Sequence, residues 1–76
     1  MKSKAIELQE KANQLLQMAQ DMDARIEVAN RFKNENKKYF PNLSDRWMHR
    51  EDTRKRASKR LWSAYIQVLT QIKLEL

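Results

Sequence analysis

Phe40-Pro41-Asn42-Leu43-Ser44-Asp45 decides how this chain folds, because it holds the only proline in 76 residues that contain no glycine. Proline disfavours helix in the residue before it, here Phe40. Ser44 reads as an N-cap whose hydroxyl accepts from the free amides of the next turn. With that cap, Leu43 and Met48 take the two positions of a hydrophobic staple. Asp45 then falls at the first helical position, where the helix dipole favours negative charge. The turn is expected over residues 40–44 and a second helix over about 45–75.

Upstream, two apolar series recur at heptad spacing. Ala5, Ala12, Ala19 and Ile26 form one, and Met1, Leu8, Leu15, Met22 and Ala29 form the other. Interleaved, they advance by alternating steps of four and three, the seam of a coiled coil. Its small alanines admit a close partner helix. Past Ala29 the seam passes to Lys33 and Asn36, and Asn30, Asn34 and Asn36 are weak helix formers. A first helix is expected over about 3–38, fraying between Asn36 and Tyr39. Downstream, residues 61–69 are apolar around much of the helix circumference, more than one partner helix covers.

If the chain doubles back at Pro41, opposed residue numbers sum to roughly 84. Leu8 then faces Leu76, Ala12 faces Ile72, Leu15 faces Leu69 and Ala19 faces Tyr65, small against large as interdigitation requires. The expected fold is all-α, a single domain over residues 1–76 forming an antiparallel hairpin of two long helices. A hairpin alone leaves apolar surface exposed, so a homodimeric four-helix bundle is expected. Its packing and dimer interface would use Leu8, Leu15, Met22, Trp62, Tyr65, Ile66 and Leu69.

Composition removes several classes of function. There is no cysteine, hence no disulfide and no thiolate metal ligand. His49 is the only histidine, and no glycine-rich phosphate loop exists. Glu51 and Asp52 are adjacent, so on a helix they point in different directions and make no acid–base pair. No catalytic residue, metal, cofactor or small-molecule substrate is expected, and the protein is not read as an enzyme. Residues 1–10 do not resemble a secretory signal. No apolar run approaches the ~20 residues of a membrane span. A reducing, cytoplasmic setting is the expectation.

Charge placement is the informative feature. The chain carries a net +6. Residues 1–30 hold four cations against five anions; residues 31–60 hold eleven against four; residues 61–76 balance. In a hairpin, residues 31–40 and 46–60 lie side by side, so the excess gathers toward the loop. Arg46, Arg50 and Arg54 form one row on a helix, Lys55 with Lys59 a second, and Arg56 with Arg60 a third. Glu51–Lys55 and Asp52–Arg56 have the favourable spacing of helix ion pairs and offset part of it. Cations in such number contact phosphates along a nucleic-acid backbone. The expected contacts are Arg46, Arg50, Arg54, Lys55, Arg56, Lys59 and Arg60, supported by Arg31, Lys33, Lys37 and Lys38. DNA and RNA are both open. The competing expectation is a small adaptor or inhibitor that docks on an acidic protein surface. Phe32, Tyr39, Phe40 and Trp47 are expected to close the loop end as a small core.

Overall fold

A computed structural model describes residues 3–75. Helix α1 spans Lys4–Asn36 and helix α2 spans Pro41–Glu75. They pack antiparallel in a rod with extents of 57 × 16 × 13 Å. The hairpin of two long helices is as expected. Met1 and the Leu8–Leu76 pairing lie outside the described residues.

Ser3 caps α1: its Oγ accepts from Ile6 N at 3.2 Å, satisfying one of the amides that a helix start leaves free. At the other end, Asn36 Nδ2 donates to the Phe32 carbonyl at 2.7 Å, and Phe40 N donates to the Asn36 carbonyl at 2.8 Å. The turn between the helices is confined to residues 37–40.

Helix α2 begins four residues earlier than the capping pattern at Ser44 suggests. Ser44 N already donates to the Phe40 carbonyl at 3.0 Å, so Phe40 is the boundary residue and Pro41 the first helical one. Proline suits that position, because its missing N–H would have no partner there and its φ is already helical. Ser44 is therefore no cap. It is buried, and its Oγ donates across the hairpin to the Lys33 carbonyl at 2.8 Å. Leu43 and Met48 form no buried staple; they are 42% and 45% exposed.

The seam of α1 follows the heptads as read. Ala12, Ala19 and Ala29 are buried, and Ala5, Leu8, Leu15, Met22 and Ile26 are half-buried. The seam also continues through Lys33 and Asn36, both half-buried. On α2, Trp47, Glu51, Arg54, Ser58, Leu61, Tyr65, Val68 and Ile72 repeat the same alternation and are all buried or half-buried. Cross-helix pairs such as Lys33–Glu51, Asp23–Ser58 and Lys4–Glu75 stand at or a few residues short of the expected register. The seam is thus apolar toward the chain ends and polar toward the loop. Val68 is the only apolar residue larger than alanine that is buried among the described residues.

Candidate polyanion-binding face

The polar half of the seam sorts the cations. Asp23 accepts from Ser58 Oγ and from Trp62 Nε1, the latter at 3.0 Å. Trp62 also meets Tyr65 edge-on at 5.8 Å. Nearer the loop, Lys33 Nζ lies 3.1 Å and Lys55 Nζ 3.4 Å from Glu51 Oε1. The Asn30 amide beside Glu51 and the Lys33 ammonium outweigh the penalty of burial and hold the Glu51 carboxyl below the usual carboxylate range. No donor meets Glu51 Oε2 in hydrogen-bond geometry. Glu51 is thus an internal carboxylate shared by two lysines, not one half of a surface pair.

Three of the expected contact residues are accordingly engaged within the hairpin, two of them half-buried and Lys55 still exposed. Lys33 is half-buried against Glu51, and Lys55 leans on it from outside. Arg54 is half-buried, with its Nη1 donating to the Arg25 carbonyl at 2.6 Å. The other eight are exposed and face outward: Arg31, Lys37, Lys38, Arg46, Arg50, Arg56, Lys59 and Arg60. None of these eight forms an ion pair among the described residues, and the anticipated Asp52–Arg56 pair is not made. The cations do not collect only at the loop pole. They run along the outer surface of α2 as far as the shallow groove formed by Arg56, Lys59, Arg60, Ser63, Ala64 and Gln67.

The aromatic residues split. Phe32 and Trp47 stack at 5.0 Å, and the Arg50 guanidinium covers the Trp47 ring at 4.6 Å. Arg31 approaches the Phe32 ring at 5.8 Å. Tyr39 and Phe40 instead stay outside, 72% and 58% exposed, so the expected four-membered cap of the loop end is only a two-ring stack.

One cation was missed by the sequence reading. Arg25, on α1, lies beside Arg50 and Arg54 in an open groove whose walls also include Met22, His49, Thr53 and Ala57. Its only sequence signal was position: it flanks the α1 seam on the side toward which Arg50 and Arg54 project. Of the expected interface residues, Leu8, Leu15, Met22, Trp62, Tyr65 and Leu69 are half-buried within the hairpin, whereas Ile66 is 60% exposed. Among the described residues, no three His, Asp or Glu side chains gather as a metal site needs, and no helix is long and apolar enough to cross a membrane. No protein-family model, curated protein or solved structure matches the chain.

Proposed function

We propose that this hairpin binds nucleic acid, DNA or RNA, in a regulatory or architectural role in the cytoplasm, and acts by binding rather than by catalysis. The observation that carries the reading is the run of exposed cations on α2, from Arg46 to Arg60, with no carboxylate among the described residues paired to Arg46, Arg50, Arg56, Lys59 or Arg60. At a rise of ~1.5 Å per residue this run covers ~20 Å, a length that meets several backbone phosphates. Arg31, Lys37 and Lys38 on the loop side extend it. Lys33 and Lys55 contribute less, because Glu51 already engages both.

The functional unit is proposed to be a pair of hairpins. No large side chain is fully buried among the described residues, and Ile66 and Leu74 are 60% and 81% exposed. Domains of this size have modest cores and often gain stability from metals, disulfides or association. A second copy, giving a four-helix bundle, supplies what a single hairpin lacks.

The test is a salt titration of binding to duplex DNA, single-stranded DNA and structured RNA, with sedimentation on the same samples. Affinity for the duplex is expected to fall by about 0.9 log units per log unit of salt for each phosphate neutralised. Affinity that does not change between low and high salt rules the reading out. Absence of binding to all three turns attention to an acidic protein surface, the alternative that the same exposed cations support.

A further inference from the structure

We propose that the groove between Arg25 on α1 and Arg50 and Arg54 on α2 is a discrete phosphate site, taking a backbone phosphate of nucleic acid or a free polyphosphate. The backbone source rests on the nucleic-acid reading above; the chemistry of the site rests on the groove itself.

The groove presents three guanidiniums, the Thr53 hydroxyl and the His49 imidazole, and no carboxylate lines it. Elsewhere in the seam, Lys33 and Glu51 pair, and Asp23 accepts from Ser58 and Trp62. Here like charges are left facing one another. Burial, and then the neighbouring charges of Arg25 and Arg50, push the Arg54 pKa below its ordinary value. An oxyanion relieves that repulsion.

Two of the three guanidiniums are already held in place. Arg54 is tied to the Arg25 carbonyl at 2.6 Å, which uses one of its five N–H donors and leaves the rest available. The Arg50 guanidinium sits over the Trp47 ring at 4.6 Å, and Trp47 stacks with Phe32. A stacked guanidinium keeps its N–H edge free for two-point bonding to phosphate. Much of the side-chain ordering that binding demands is thus met in folding. Trp47 is already in contact with Phe32, Arg50 and Arg54, at 5.0, 4.6 and 6.0 Å from its ring. The groove gathers donors that suit a phosphate. Because it draws on both helices, an occupied site also holds the hairpin closed, and ligand stabilises the fold in proportion to its concentration over Kd.

The experiment measures binding of sodium tripolyphosphate and of a fluorescent single-stranded oligonucleotide, with thermal unfolding followed in parallel. It compares the native chain, Arg25→Gln, Arg50→Gln and a variant with Arg56, Lys59 and Arg60 all replaced by Gln. Arg25→Gln keeps the backbone carbonyl that Arg54 uses, and Arg25 is itself exposed, so folding is preserved. Tripolyphosphate is expected to raise the unfolding midpoint of the native chain. Arg25→Gln and Arg50→Gln are expected to weaken it about tenfold, as loss of a charged hydrogen-bonding group does. The outer-row variant is expected to keep tripolyphosphate and lose oligonucleotide. If Arg25→Gln binds tripolyphosphate as tightly as the native chain, or the native chain does not bind it, the groove proposal is overturned, whatever the oligonucleotide does. If tripolyphosphate behaves as expected but no oligonucleotide binds, the groove stands as a site for free polyphosphate and the nucleic-acid reading falls.

Discussion

Glu51, 3% exposed, receives Lys33 from α1 at 3.1 Å and so places a carboxylate inside the stretch of α2 richest in positive charge. That contact joins the helices near the loop, where apolar side chains are scarce. It also divides the lysines and arginines into those that hold the hairpin and those that face outward.

The pH dependence of stability follows from the lowered Glu51 pKa. A carboxyl whose folded pKa lies below its ordinary 4.5 adds stability above that value and loses it as pH falls through the folded pKa. The unfolding midpoint is expected to drop as pH falls below about 4.5. In Glu51→Gln, that acid-induced drop is expected to be smaller. Parallel profiles for the two proteins in thermal scans from neutral to acid pH would show that Glu51 is not part of the cause.

Removing one partner and removing both have different expected costs. Glu51→Leu leaves the Lys33 ammonium, with its side chain 24% exposed, beside apolar surface and is expected to cost about 1–3 kcal/mol. Adding Lys33→Leu is expected to recover most of that, because a buried pair replaced by hydrophobic residues is often neutral or better. Urea denaturation of the two single variants and the double measures the coupling. A double variant as unstable as the two losses added together contradicts this.

Asp23 fixes Trp62. Asp23→Ala removes the acceptor for both Ser58 Oγ and Trp62 Nε1 and is expected to destabilise by about 2 kcal/mol. It is also expected to shift Trp62 fluorescence, best read in a Trp47→Phe background so that one indole reports. Unaltered emission would mean that the indole is held by something else.

Ser44 separates capping from packing. As a cap, Ser44→Asp would be tolerated, since aspartate caps as well as serine. In the seam, where Ser44 is 7% exposed and donates to the Lys33 carbonyl, a carboxylate cannot donate and sets its own oxygens against that carbonyl. Ser44→Asp is therefore expected to be more damaging than Ser44→Ala, whose cost is about 1 kcal/mol for one lost hydrogen bond. Circular-dichroism melts decide, and the reverse order would restore the capping reading.

Much of the architecture was legible because its signals are local. The heptads over Ala5–Ala29 show in the alternating steps of four and three, and they are the seam observed. The start of α2 was misjudged because Ser44, Asp45, Leu43 and Met48 imitate a cap, a dipole partner and a staple. Pro41, whose geometry suits the first helical turn, outweighs them. The inward turn of Glu51 and Arg54 was not legible from hydropathy, since an apolar search does not register a seam built of Trp47, Glu51, Arg54 and Ser58. Spacing alone carried that signal, in the same four-and-three steps continued through polar residues. Arg25 was passed over because residues 1–30 are on balance slightly acidic, and only the second helix gives it cationic neighbours.

By itself the order of residues determined two helices and a reversal at the lone proline, since the single proline, the lack of glycine and the heptad spacing act locally along the chain. Which cations meet solvent was settled only when the helices packed. An ammonium or guanidinium on a long flexible stem takes its position from whatever oxygen lies within reach, and for Lys33 and Arg54 that oxygen belongs to the other helix.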